Sequence, residues 1–439
     1  MVVTTTEIQR AIDAVWRIES PRLIAGLARM VRDVGLAEDL AQDALIAALE
    51  RWPESGVPDN PGAWLMATAK HRAIDTFRRN KLLERKHQEL GRELDARQEA
   101  AVADLESAID DDVGDDLLRL IFVACHPLLT PESRVAITLR LLGGLTTDEI
   151  ARAFLVPEPT IAQRIVRAKR TLSEKRVPFE VPRAAELPER LSSVLEVIYL
   201  VFNEGYSATA GGDWIRPALC EDALRLGRIL AELVPEEPEV HGLVALMELQ
   251  ASRSMARVGA AGEPILLLDQ DRSRWDQLLI SRGLAALDRA AKLRSLPGPC
   301  ALQAAIAACH ANATTPGATD WGKIVSLYSK LLEQVPSPVI ELNRAVAVAM
   351  ASGPAAGLEL VDQLTLEPSL KTYHLLPSVR GDLLSKLGRN EEACVEFERA
   401  ASLTRNARER ELLLNRARVC ADATRDSHST LQNDSPSAN

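Results

Sequence analysis

The chain has 439 residues, 46% apolar and 26% charged, a length that predicts about two to four domains of roughly 100–200 residues each. Its net charge of −10 comes from 52 Lys and Arg against 62 Asp and Glu; taken as an average, it excludes a generic basic nucleic-acid coat. No apolar run approaches the roughly 18 residues of a membrane span, and the first residues lack the basic-then-apolar layout of a signal peptide, so a cytoplasmic protein with no membrane partner is expected.

Six cysteines (Cys125, Cys220, Cys300, Cys309, Cys394, Cys420) lie far apart with no CxxC pair. That spacing fits reduced, mostly buried thiols better than a disulfide framework or a zinc knuckle. Aromatic residues are only 4% and alternating β-branched runs are nearly absent, whereas Ala, Leu, Glu and Arg recur at helical spacing. The expected fold class is therefore all-α.

In chain order, the first informative segment is 36–45, where Leu36, Leu40, Ala44 and Leu45 form an apolar stripe and Asp39, Gln42 and Asp43 lie along another face. Trp52 and a loop over 53–60 follow, then a helical stretch over 61–79 in which Trp64, Leu65, Ala69 and Ile74 can pack inward. Lys70, Arg72, Arg78 and Arg79 remain available for phosphate. From 87 to 116 the charge reverses, with eleven acidic residues against Arg92 and Arg97, ending in Asp110, Asp111, Asp112, Asp115 and Asp116. From 159 to 176 it is basic again, through Arg164, Arg167, Lys169, Arg170, Lys175 and Arg176.

The clearest local motif spans 145–168. Thr146 or Thr147 can cap a short helix, and small Ala151 leaves space for a crossing helix. Pro157 stops the first helix, Glu158 sits where an N-cap belongs, and Pro159 suits the first helical position of a second helix. Ile161, Ile165 and Ala168 line one face of that helix, while Gln163, Arg164, Arg167 and Lys169 project from others. This is a helix-turn-helix pattern, with the second helix offered to a major groove. Leu155 stands at the turn position usually given to glycine, so the turn needs other geometry or bears strain.

Three prolines, Pro178, Pro182 and Pro188, mark 177–190 as a semi-rigid linker. Beyond it, 191–425 reads as helical. Gly317, Gly353 and Gly388 recur between paired amphipathic patterns, and the unit around 382–400 is close to the tetratricopeptide pattern, whose helical pairs must stack to bury their faces. The polar tail 426–439 is expected to be disordered. No nucleotide-binding loop, HExxH or GxSxG motif stands in the right setting, and Cys125-His126 lacks partner ligands at zinc spacing. No enzyme activity, cofactor or metal is expected.

The residues 37–43 (Ala-Glu-Asp-Leu-Ala-Gln-Asp), then Ala63-Trp64-Leu65 with Ala73-Ile74-Asp75 and Arg78-Arg79, then the helix-turn-helix, resemble sigma factors of bacterial RNA polymerase of the extracytoplasmic-function group. The resemblance covers about 1–176, and it departs at His71, where the group usually has Asn. It implies a region-two domain over 1–86, an acidic linker over 87–113 and a region-four domain over 114–176. It further implies that Asp39, Gln42 and Asp43 dock on the clamp helices of the largest subunit of core RNA polymerase, with the flap region as a further contact. Asp59, Asn60, Trp64, Lys70, His71, Arg72, Arg78 and Arg79 would open and hold the minus-ten promoter element; melted bases need a pocket and basic groups along the phosphates. Thr160, Gln163, Arg164, Arg167, Lys169 and Arg170 would bind the minus-thirty-five element, with Gln163 or Arg164 reading base edges. Through the resemblance, the acidic linker reads either as a nucleic-acid mimic in the polymerase's RNA path or as an extended spacer.

The region beyond 190 resembles the tetratricopeptide-containing extension of one subgroup, which implies a fused domain modulating activity in response to an unknown protein or small-molecule signal. Asn203, Glu204, Tyr206, Arg272, Arg274, Trp275 and Asp276 could form a ligand or peptide site there; equally, Glu204, Arg272 and Asp276 could be a satisfied structural ion-pair network. The competing reading of the whole chain is a free-standing helix-turn-helix regulator with a helical-repeat sensor or scaffold, which leaves the 36–79 pattern unexplained.

Overall fold

The computed structural model describes residues 5–87, 113–154, 156–208, 210–211, 214–259, 262–294 and 296–433. The acidic run over 88–112 and the turn residue Leu155 lie outside the described residues, and so do the side chains of Arg78 and Arg79. The chain divides into two compact units, Met1–Ile198 and Tyr199–Asn439. Both are helical, as composition implied; among the described residues the only named strands are a two-residue parallel pair. No described helix is long and apolar enough to cross a membrane.

In the first unit, α1 (Thr5–Val31), α2 (Val34–Ser55) and α3 (Pro61–His87) pack on one another. Asp33 caps α2 by accepting from the Leu36 N–H at 2.8 Å. The buried face of α2 is built largely of small residues, Ala37, Ala41, Ala44 and Ala48 around Leu40, which lets neighbouring helices approach closely. Trp52 is fully buried and meets Trp64 edge-on at 5.3 Å. On α3, Leu65 and Ala69 are buried as expected, but Trp64 and Ile74 are half-buried and Ala73 fills the inner position instead.

Four helices follow: α4 (Val113–Ala124), α5 (Pro131–Leu141), α6 (Thr147–Phe154) and α7 (Glu158–Glu174). The next helix, α8 (Leu187–Tyr206), begins inside the segment expected to be linker. Its first half is tied to the end of α4: Arg190 donates to the Phe122 carbonyl at 2.7 Å and Ser193 Oγ to the Cys125 carbonyl at 2.6 Å. These bonds hold 187–198 in the first unit, so the division between units falls within α8 rather than at 190. Cys125 is a packed helix end; burial, partly offset by its hydrogen bond with Thr138, raises its pKa to about 11. All six cysteines are free, four of them buried, with Cys300 and Cys394 half-buried.

The second unit continues with α9 (Pro217–Leu233), α10 (Pro238–Ala251), α11 (Gln277–Leu293) and α12 (Pro299–Ala311). Then come α13 (Trp321–Gln334), α14 (Pro338–Ser352), α15 (Pro354–Leu364), α16 (Leu375–Lys386), α17 (Asn390–Leu403) and α18 (Ala407–Asn433). Proline opens α9, α10, α12, α14 and α15, where its missing N–H costs nothing. Helix α10 is apolar nearly all round and buried throughout from Val240 to Leu249, the mark of a central helix; α9, α11 and α12 pack on it. From α13 onward each helix packs on the next. Gly353 (φ +100°) joins α14 to α15 and Gly388 (φ +76°) joins α16 to α17, whereas Gly317 sits in a short 3-10 turn without positive φ. The parallel pair joins Ala210–Gly211 to Arg405–Asn406, and Asn406 Nδ2 donates to the Ala208 carbonyl at 2.9 Å. Disorder was expected from residue 426, but α18 continues to Asn433: no Pro or Gly interrupts it before Pro436. Residues 434–439 are outside the described ones.

Candidate nucleic-acid and polymerase interface

The helix-turn-helix forms where the sequence placed it. Thr146 and Glu149 make a reciprocal capping box at the start of α6: the Glu149 N–H donates to Thr146 Oγ1 at 3.1 Å and the Thr146 N–H to Glu149 Oε2 at 2.8 Å. Partial burial raises the Glu149 pKa, but the Thr146 hydrogen bonds and the Arg17 guanidinium outweigh it and the net shift is downward. The N-cap of α7 is Pro157, with no side-chain cap bond, and Glu158 and Pro159 are its first two residues. The expected Glu158 cap is thus displaced by one position, because Pro157 holds the extended backbone (φ −57°, ψ 139°) that a cap requires.

Ile161, Ile165, Ala168 and Leu172 form the buried face of α7. Of the residues expected at the minus-thirty-five element, Gln163, Arg167 and Arg170 are exposed, and Thr160, Arg164 and Lys169 are half-buried. Arg170 pairs with Glu174 one turn on, at 2.6 Å. Gln163, Arg164 and Arg167 therefore present donors on one recognition helix, the combination that grips phosphates and reads base edges.

On α2, Asp39 is exposed and Gln42 and Asp43 are half-buried. On α3, Lys70, His71 and Arg72 follow one another along one turn, His71 exposed and the other two half-buried. Arg72 Nη1 lies 3.4 Å from Asp43 Oδ2, so an expected promoter residue and an expected docking residue share an ion pair. Asn60 caps α3 by accepting from the Ala63 N–H at 3.0 Å, next to exposed Asp59. Its side chain thus fixes the entry to the helix that carries Trp64.

The two helical groups of this unit are joined by ion pairs that span them. Glu38, almost fully buried on α2, accepts from Arg140 Nε of α5 at 2.7 Å and pairs with Lys169 of α7. Lys169 also reaches Asp39 at 3.3 Å. Arg17 of α1 meets Glu149 at 3.0 Å, and Arg29 of α1 meets buried Asp116 at 2.9 Å, which Arg119 also contacts. Asp116, last of the acidic run, is therefore a packed helix residue and not a linker charge. At Gly144 (φ +69°) an added Cβ would meet Ser20 Oγ at 3.0 Å and the Arg17 Cα at 3.2 Å, so the α5–α6 turn is pressed against α1. Glu38 stands in the 37–43 motif and Asp116 in the acidic run, but neither these two nor Arg140 and Arg29 were given a part in joining the helical groups from sequence. One signal was available: Glu38 falls on the apolar stripe of Val34, Ala37 and Ala41, where an unpaired carboxylate does not persist.

The residues picked out in the second unit do not form one ion-pair network. Glu204 is buried and paired with Arg216. Asp276 caps α11 by accepting from the N–H groups of Leu278 and Leu279 at 2.9 and 3.0 Å. Arg272 pairs with no carboxylate among the described residues; it donates to the carbonyls of His310 and Ala313 at 2.5 and 2.6 Å. Tyr206 and buried Trp275 sit against arginine side chains, Asn203 is half-buried and Arg274 is exposed. Among the described residues no group of three His, Cys, Asp or Glu is arranged to hold a metal ion.

Comparison with known proteins agrees with this layout. The sigma-70 region 2 family matches residues 16–82 and the sigma-70 region 4 family matches 119–172, while a family of unknown function (DUF6596) matches 190–291. An uncharacterized protein of Rhizobium meliloti (strain 1021) is 44% identical over 390 residues, covering 89% of this chain and 91% of the relative. A probable ECF RNA polymerase sigma factor SigI of Mycobacterium tuberculosis is 29% identical over 173 residues, 39% of this chain and 58% of that protein. The ECF RNA polymerase sigma factor SigK of Mycobacterium ulcerans is 32% identical over 158 residues, 34% of this chain but 78% of that protein. By these matches and by its paired helical groups, the chain belongs to the ECF RNA polymerase sigma factor family.

Proposed function

We propose that this protein is an alternative sigma factor that binds core RNA polymerase and directs promoter recognition and transcription initiation, with its C-terminal unit modulating that activity. The observation that carries the reading is the order of two separate region matches on one chain, the second holding a capped helix-turn-helix with Gln163 and Arg167 exposed. In this reading Asp39, Gln42 and Asp43 dock on the polymerase clamp helices. Exposed and half-exposed carboxylates suit a surface that must bind selectively and later release. Asp59, Asn60, Trp64, Lys70, His71, Arg72, Arg78 and Arg79 serve the minus-ten element, and the α7 residues Thr160, Gln163, Arg164, Arg167, Lys169 and Arg170 serve the minus-thirty-five element.

The ion pairs across the first unit give the free protein a closed arrangement in which Asp39 and Lys169 occupy one another. Docking and promoter binding would draw these two apart. The acidic stretch over 87–113 acts either as a nucleic-acid mimic or as a spacer; neutralising Asp110, Asp111 and Asp112 changes the abortive transcript profile only in the first case. For the second unit, the hairpins turned at Gly353 and Gly388 support a tetratricopeptide-like array, a surface suited to a protein or small-molecule signal.

Transcription reconstituted with core polymerase and a promoter carrying both upstream elements tests the reading. Specific initiation that depends on the added protein is expected. Its absence, with duplex DNA still bound by the isolated protein, would favour a free-standing helix-turn-helix regulator instead.

A further inference from the structure

Three arginines of the second unit converge on a small set of aromatic rings. Arg257 lies 3.7 Å from the centre of the Tyr206 ring and 5.6 Å from that of Trp214. Arg253 lies 5.8 Å from both the Tyr206 and the Trp275 rings, and Arg272 lies 4.7 Å from the Trp275 ring. The three are thus linked through shared rings, and all are at least half-buried.

None of the three has a carboxylate partner among the described residues. Arg253 donates to the Tyr206 hydroxyl at 2.6 Å, Arg257 to the Tyr206 carbonyl at 3.0 Å, and Arg272 to the backbone at His310 and Ala313. Elsewhere in the same unit partly buried arginines are neutralised: Arg228 by Glu248 at 2.8 Å, and Arg380 by Asp362 and Glu396 at 2.8 Å each. The cluster is different in kind, since buried cations are ordinarily paired. Burial first, and then the nearby Arg253 charge, lowers the Arg272 pKa. Burial lowers that of Arg257, with Tyr206 opposing it and Arg253 adding to it. Further donors in the cluster are unused: Arg257 Nε, Arg272 Nε and the indole N–H of both Trp214 and Trp275 are buried without a partner.

We propose that Arg253, Arg257 and Arg272, framed by Tyr206, Trp214 and Trp275, form a binding site for a small multivalent oxyanion, a phosphate ester or a polycarboxylate. Guanidinium forks match the planar oxygens of both groups and form charge-assisted hydrogen bonds about twice as strong as neutral ones. Several such forks in one cluster select two or more negative charges over one. The site lies in the segment matched by the family of unknown function, and a ligand there would be a signal for the modulating unit. Binding itself does not depend on the sigma-factor reading, so the test below can fail or succeed independently of transcription.

The full chain is titrated with inorganic pyrophosphate and, separately, with citrate, at ionic strength held constant with NaCl, reading Tm and calorimetric affinity. A saturable rise in Tm is expected with at least one of the two, which also tells phosphate from carboxylate preference. Arg253→Gln and Arg272→Gln each weaken binding by roughly tenfold or more, as loss of a charge-assisted bond requires. Arg282→Gln, outside the cluster and paired with Glu248, leaves it unchanged. Arg253→Lys, which keeps the charge and loses the fork, gives intermediate affinity and serves if the glutamine variant does not fold. No saturable rise with either anion, or an equal rise in the Arg253→Gln and Arg272→Gln variants, would overturn the proposal.

Discussion

Lys169 and Asp39 form an ion pair at 3.3 Å that joins α7, the second helix of the helix-turn-helix, to α2. The same ammonium contacts Glu38, which is almost fully buried and also held by Arg140. A residue expected on promoter phosphate and a residue expected on polymerase thus neutralise each other.

Glu38→Ala leaves the Arg140 and Lys169 charges facing a void, and breaking such a buried pair costs about 3–5 kcal/mol. Denaturant unfolding of the first unit should register that loss. A change below about 0.5 kcal/mol would mean that water replaces the carboxylate and that the pair is not structural.

Lys169→Ala has two separable effects. On the proposed function it removes a phosphate ligand and so weakens promoter binding, and it frees Asp39 for polymerase, while Glu38 keeps Arg140. An exposed pair is worth at most about 1 kcal/mol, so core-polymerase affinity rises by roughly two- to fivefold. Weaker core binding in this variant would contradict the competition between the two contacts.

The helix-turn-helix, the apolar stripe of α7 and the all-helical class were legible in the sequence because each depends on residues within one or two turns, whereas of the stripe expected on α2 only Leu40 and Ala44 are buried, and Leu36 and Leu45 are half-buried. Thr146 and Glu149, three positions apart, announce their capping box. The ties between helical groups were not legible: Arg140 and Glu38 are 102 residues apart, and Lys169 and Asp39 are 130 apart. No local periodicity encodes such pairs. The arginine cluster was half legible, since Arg272, Tyr206 and Trp275 were singled out, whereas Arg253 and Arg257 look like ordinary solvated charges until the fold gathers them.

The first half of α8 dictates where the chain can be cut. A chain ending after Arg183 loses the Arg190 and Ser193 bonds to the ends of α4 and strips Arg134 of Ser193 and Glu196. A chain ending after Ile198 keeps them. The shorter form should unfold at lower denaturant, by about 2 kcal/mol or more at roughly 1 kcal/mol per hydrogen bond. Equal midpoints for the two truncations would show that α8 does not support the first unit.

The glycines of the repeat are not equivalent. Gly353→Ala and Gly388→Ala place a side chain at positive φ and should each destabilise by about 1 kcal/mol. Gly317 has no such φ and open space around it, so Gly317→Ala should be neutral or stabilise by up to about 1 kcal/mol through the unfolded chain. Thermal midpoints of the three variants distinguish the positions.

His310 predicts a pH dependence for the second unit. Burial first, then Arg253 and Arg272, lowers its pKa to about 4 from 6.5. The unfolded chain therefore takes up the proton before the folded one does. Stability is complete above about pH 6.5 and falls as pH drops toward 4, by up to about 3 kcal/mol. Between pH 4.5 and 6.5, Tm should fall more steeply in the wild type than in His310→Gln. Identical slopes would show that His310 is protonated in the folded state.

Equilibrium binding of this chain to core RNA polymerase decides whether it is a polymerase-binding initiation factor. A saturable complex is expected that weakens by roughly tenfold or more when Asp39 and Asp43 are both replaced by alanine, while duplex DNA binding by the same variant is retained. No measurable complex with core polymerase, or one indifferent to both substitutions, would contradict that role.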